Sequence, residues 1–146
     1  MRYTHTATLP LSWEESVQRT RDALAEQGFG ILSEINVRAT FEAKLGTEAA
    51  AAIGDYVILG ACNPALASRA LAAEPELGAL LPCNVVVRRG KDAAVTTIDA
   101  IDPQTMVQLS DNPAVQDVAN DADARLRKAL AGLAASGAAA GVTPRA

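Results

Sequence analysis

The stretch that decides the fold is Tyr56-Val57-Ile58-Leu59-Gly60-Ala61-Cys62-Asn63-Pro64. Its first seven residues are apolar on both faces of a strand, the pattern of a central strand covered on each side. The last two change the period. Asn63 is a good helix N-cap, and Pro64 suits the first helical position, where its missing N–H is no loss. The spacing therefore predicts a strand over 56–62 running straight into a helix over 64–73.

Working outward toward the N-terminus, residues 29–37 alternate, with Phe29, Ile31, Ile35 and Val37 set against Gly30, Leu32, Glu34 and Asn36, which predicts another strand. A short helical turn follows from Thr40 through Phe41 and Lys44 to Leu45. The alanine run 49–52 has good helix propensity but is too short to stand alone, so it reads as a weak helix or a loop. Further upstream, residues 2–8 alternate as a first strand that Pro10 closes. Ser12-Trp13-Glu14-Glu15 fits a capping box. Trp13, Val17, Thr20 and Leu24 then recur at helical spacing until Gly28 ends the helix.

Toward the C-terminus, Pro75 and Gly78 interrupt the chain, and Pro82-Cys83-Asn84 opens a fourth strand reaching Arg88. Arg89-Gly90-Lys91-Asp92 returns a fifth strand over 94–101 as a hairpin. Asp102-Pro103 and Asn112-Pro113 repeat the cap-then-proline signature. The second of these begins the longest helix, with Val115, Val118, Ala119, Ala122, Leu126, Ala129, Leu130 and Leu133 on one stripe. The order is strand, helix, four strands with a short helix inserted, and a long helix. It predicts an α+β fold, β-α-β(4)-α, with a curved, mostly antiparallel sheet and both long helices on one face. Residues 1–135 read as one domain. Residues 136–146, rich in Ala and Gly, read as a flexible tail.

Composition narrows the function classes. The 146 residues are 49% hydrophobic but only 3% aromatic, so the core is built from Ala, Val, Leu and Ile. Small side chains bury little area each, at roughly 25 cal/mol per Å², and self-association would add to it. Thirteen basic against 17 acidic residues give a net charge of −4, without the basic face of a nucleic-acid binder. Arg88, Arg89 and Lys91 read as a solvated hairpin tip. The first residues lack a signal-peptide core, and no stretch approaches the ~20 apolar residues of a spanning helix. The expectation is a cytoplasmic protein, with no membrane partner, whose two cysteines are thiols.

Those cysteines are the chemical feature of the chain. Cys62-Asn63-Pro64 and Pro82-Cys83-Asn84 hold the same three residue types at the ends of two predicted strands. Antiparallel pairing would bring both thiols to one end of the sheet. Cys62 also lies just ahead of a helix N-terminus, which favours negative charge. The plainer reading makes both cysteines small buried hydrophobes. A zinc site lacks ligands: there is no C-x-x-C, and His5, the sole histidine, is distant in sequence and reads as a packed strand residue. Two thiolates would suit a soft ion such as Cu(I). Glu34 and Lys44 follow one another closely enough to pair or to meet in a cleft. No Walker A loop, G-x-S-x-G or G-x-G-x-x-G is present.

Gly28-Phe29-Gly30, Glu34-Ile35-Asn36-Val37, Lys44-Leu45-Gly46, the segment 56–64, Leu80-Leu81-Pro82-Cys83-Asn84-Val85 and Asp102-Pro103 together resemble the domain of unknown function 302 family, to about residue 135. The resemblance implies a TATA-binding-protein-like arrangement and a homodimer, and it carries over Glu34, Lys44, Cys62, Asn63, Pro64, Cys83 and Asn84. Asn36 stands where the family has aspartate, and Ser68 where it has histidine, which would remove a metal ligand or a base for a thiol. The resulting expectation is a dimeric small-ligand or soft-metal binding module. Its candidate residues are Glu34, Lys44, Cys62, Asn63, Cys83 and Asn84. Beside it stand a thiol redox or thiol-transfer enzyme using Cys62 and Cys83, and a structural protein with core cysteines. The sequence names no cofactor, substrate or reaction.

Overall fold

Five strands and six α-helices follow in the order β1 (Thr4–Leu9), α1 (Trp13–Glu26), β2 (Gly30–Asn36), α2 (Val37–Leu45), α3 (Thr47–Ile53), β3 (Asp55–Cys62), α4 (Pro64–Ala73), β4 (Cys83–Arg89), β5 (Thr96–Ile101), α5 (Gln104–Leu109) and α6 (Pro113–Ser136), in a computed structural model that describes residues 2–136. A 3-10 segment, Pro75–Leu80, joins α4 to β4. The tail expected over 136–146 lies outside the described residues except for its first residue.

All strand pairs are antiparallel, and the order across the curved sheet is β1-β5-β4-β3-β2. The middle strand is thus β4. The apolar strand β3 is interior, one place from the centre, which satisfies the same hydrophobic pattern. Helices α1 and α6 pack side by side on one face, as the order of elements predicts. The register explains which residues they cover. Val57, Leu59 and Ala61 of β3 stand opposite Val87, Val85 and Cys83 of β4, so all six leave the sheet on the helical side. Each is at least nine-tenths buried. Trp13 anchors α1 over this layer, its indole N–H donating to the Val87 carbonyl at 2.9 Å.

Local signals set the element ends. Ser12 Oγ accepts from Glu15 N–H at 3.1 Å, while the Glu15 carboxylate accepts from Arg19. Asn36, read as a strand residue from its alternation, also caps α2 by accepting from Ala39 N–H at 2.9 Å, so that helix starts earlier than its apolar spacing suggests. The alanine run becomes α3 because Ala50 is buried and Gly46 and Gly54, with φ of 98° and 75°, bound it. A Cβ at Gly54 would also meet the Arg89 carbonyl at 2.5 Å, so no other residue fits this turn. The hairpin arginines are not solvated free ends. Arg88 pairs with Asp99 at 2.7 Å across β4 and β5, and Arg89 donates to the Leu11 carbonyl and to Thr96 Oγ1.

A second, smaller core lies beyond the cysteine end of the sheet, where Leu66 and Ala70 of α4 and Leu77 meet Met106 of α5 and Val115, Val118 and Ala122 of α6. The seam between this cluster and the main core holds the candidate site.

Candidate functional site

Cys62 closes β3 and Cys83 opens β4, and antiparallel pairing places Ala61 opposite Cys83. The two cysteines are therefore neighbours offset by one residue. With strands about 5 Å apart and about 3.4 Å of rise per residue, their Cα atoms are about 6 Å apart. Successive side chains leave opposite faces of a strand, however, so the pleat directs the thiols to different sides. Cys83 joins the buried main core, while Cys62 is half-buried. Both are free thiols. Burial pushes the Cys83 thiol from 9.0 up to about 11, with a smaller contribution from repulsion by Cys62.

Both cysteines nonetheless border one cavity of about 350 Å³ at this end of the sheet. Phe29, Leu32 and Ser33 form its β2 side, and Leu66, Ala67, Ala70 and Leu71 form its α4 side. Leu77, Met106, Val118 and Ala122 close the bottom. Exposure grades along it: Leu32 and Ser33 are exposed, Cys62 and Asn63 half-buried, and Cys83, Leu77 and Met106 buried. That gradient gives the cavity a mouth and a floor. Apart from the two cysteines, no lining side chain among the described residues ionises. Asn63 caps α4, its Oδ1 accepting from Leu66 N–H at 3.2 Å, so its carbonyl oxygen is engaged in the fold. Gly60 lets the strands close behind the site. A Cβ there would fall on Ser33 Oγ and within 2.9 Å of Pro82 Cγ.

Of the six candidate residues, Cys62, Asn63 and Cys83 meet at this cavity, and Glu34, Lys44 and Asn84 do not line it. Asn84 stands opposite Gly60 and is exposed on the helix-free face. Glu34 pairs with Arg21 of α1 at 2.8 Å, and Lys44 is exposed in the last turn of α2. The two family departures are also located. Asn36 caps α2, a task aspartate performs equally well. Ser68 is exposed on α4 and does not itself line the cavity.

Sequence reasoning saw His5 as a packed strand residue and missed its partners. The ring is buried, and its Nε2 lies 2.6 Å from Asp123 Oδ1 and 3.6 Å from Asp102 Oδ1. These three residues form the sole group of three or more potential metal ligands among the described residues, so no third ligand of that kind joins the two cysteines. Each carboxylate already has structural work. Asp102 Oδ1 accepts from Gln104 N–H, and Asp123 Oδ2 accepts from Arg127. The sole sequence signal for the cluster was the Asp102-Pro103 cap, because its other two members are 118 residues apart.

No helix among the described residues is long and apolar enough to cross a membrane. No curated protein matches the chain. A solved structure, the uncharacterized conserved protein DUF302 from Bacillus stearothermophilus, is similar with a TM-score of 0.78 and 26% sequence identity, covering 90% of this chain and 98% of that one. The family model described as domain of unknown function DUF302 matches residues 5–133, which take in all five strands except Thr4 and most of α6. On that coverage, the chain belongs to the DUF302 family.

Proposed function

We propose that the chain is a dimeric binding module whose small-molecule ligand occupies the cavity at the cysteine end of the sheet. The observation that carries this reading is the lining itself: cysteines from two neighbouring strands, with Asn63 next to Cys62, border one 350 Å³ hollow with an exposed mouth. Ligand sites are commonly concave, mostly apolar and supplied with a few polar groups, at volumes of about 300–1,000 Å³. A thiol-exchange enzyme fits less well. The nucleophile in such chemistry is a thiolate, and a thiol held at about 11 stays protonated at neutral pH. The same proton opposes a soft metal, whose ligand would be the thiolate.

Native mass spectrometry of the full chain, purified without chelator, tests the proposal. The expected spectrum is a two-subunit species carrying a small organic mass that denaturation releases. A metal adduct in its place would favour the soft-ion reading. A bare monomer whose maleimide labelling at Cys62 is unchanged by extracts of small molecules would overturn the proposal.

A further inference from the structure

The lining of the cysteine cavity also discriminates between classes of ligand, an inference that rests on the binding reading above. We infer that the cavity takes an uncharged, mainly aliphatic molecule of about a dozen non-hydrogen atoms, with its single polar group at the mouth beside Ser33 and Cys62, and rejects the charged counterpart. The size follows from the volume. At about 30 Å³ for each water-sized group, 350 Å³ accommodates roughly a dozen.

Neutrality follows from the side chains. Among the described residues, no Lys, Arg, His, Asp or Glu lines the cavity, so a carboxylate or ammonium drawn inside would lose its water without meeting a counter-charge from them. The arginines on the flanking helices are engaged with other partners: Arg21 is held by Glu34, and Arg125 by Asp121 and the Gln27 carbonyl. The Cys83 thiol, pushed up to about 11 by burial, reports the same scarcity of solvation at the inner end. Aliphatic character follows from the floor. Leu77, Met106, Val118 and Ala122 come from three separate helical segments, and each is buried although it borders the hollow. Met106 adds an adaptable thioether that conforms to chains of differing shape. The polar gradient sets the orientation, since Ser33, Cys62 and Asn63 are the polar groups nearest solvent.

The test compares three probes of equal length on the full chain at pH 7.5: octan-1-ol, octanoate and octylammonium. Xenon serves as a head-group-free reporter of the hollow. Binding is read from the Met106 methyl resonance and from the rate of N-ethylmaleimide labelling at Cys62. Octan-1-ol is expected to shift the methyl and slow the labelling, with octanoate and octylammonium at least tenfold weaker. Octanoate should gain affinity as the pH falls and its carboxylate protonates. Ala67→Leu, which fills the half-buried α4 wall, should abolish octan-1-ol binding, with a circular-dichroism spectrum confirming the fold. If that variant does not fold, Leu71→Trp at the more exposed end of the same wall provides the block. Equal or tighter binding of either charged probe overturns the ligand class and leaves the binding reading standing. Xenon entry without octan-1-ol binding does the same. Failure of xenon to perturb Met106 overturns both.

Discussion

Cys62 and Cys83 are set in matching tripeptides yet occupy unlike environments, and the cause is a single residue of register. Ala61 is the partner of Cys83, which sends Cys62 to the other side of the pleat. The motif was legible in the sequence. The asymmetry was not, because a one-residue offset between strands has no local signature. It has a measurable consequence in pH dependence. Unfolded, the Cys83 thiol titrates at its ordinary 9.0; folded, it titrates at about 11. Between those values the unfolded chain has released a proton that the folded chain retains, so stability is intact below pH 9 and falls as pH rises to about 11. Two pH units at about 1.4 kcal/mol each make this a loss on the order of 2–3 kcal/mol. Urea denaturation at pH 8 and pH 10.5 should show the wild type losing more stability than Cys83→Ala, whose remaining slope comes from other groups. The same difference governs reactivity. Maleimide at pH 7.5 should modify Cys62 first and Cys83 only on unfolding, as peptide mapping of a time course would show. Equal rates at the two positions would contradict the burial of Cys83.

At the scale of elements, the long helix α6 is tied to the edge strand β1 by the buried His5–Asp123 contact at 2.6 Å. Hydrogen bonds involving charged groups contribute about 1.5–3 kcal/mol, and removing one partner leaves the other buried and unsatisfied. A double-mutant cycle on His5→Ala and Asp123→Ala should therefore yield a coupling energy of about 1.5–3 kcal/mol in urea unfolding. The more solvent-accessible Arg125–Asp121 pair on the same helix should give less, about 1 kcal/mol or below. A coupling near zero for His5 and Asp123 would mean that packing alone docks α6. Legibility also divides at this scale. The strand-to-helix switch at Asn63-Pro64 was readable because its cap and proline act within four residues. Helix α3 was not: seven residues cannot sustain themselves, and what orders them is the burial of Ala50 in tertiary structure. The cavity was invisible for a related reason. Its walls come from β2, α4, the 3-10 segment, α5 and α6, and no spacing along the chain encodes their convergence.

For the whole molecule, the proposed dimer needs a surface, and the β2–α2 arm has the properties of one. Among the described residues, strand β2 lies at the sheet edge, with one side paired to β3 and the other side's backbone groups unpaired by any strand. Helix α2 buries none of its residues, although it carries Val37, Phe41 and Leu45. Leu32, Ile35 and Leu45 are 69%, 50% and 67% exposed, a concentration of large apolar side chains that a monomer would leave in water. Edge strands invite pairing, and two copies of one arm meeting about a two-fold axis satisfy each other with the same residues. The low aromatic content points the same way, since a core of small side chains gains more from burying additional surface. Leu32 also lines the cavity mouth, so a charge placed there would confuse assembly with ligand binding. Ile35 and Leu45 are clean of that overlap. Ile35→Glu and Leu45→Glu, made separately, should each shift the chain from dimer to monomer in sedimentation velocity at micromolar concentration. Both should keep the fold by circular dichroism and still admit xenon to the cavity. A dimer that persists through both substitutions would move the interface off this arm, and the free threonine-bearing face of β1 and β5 would become the surface to probe next.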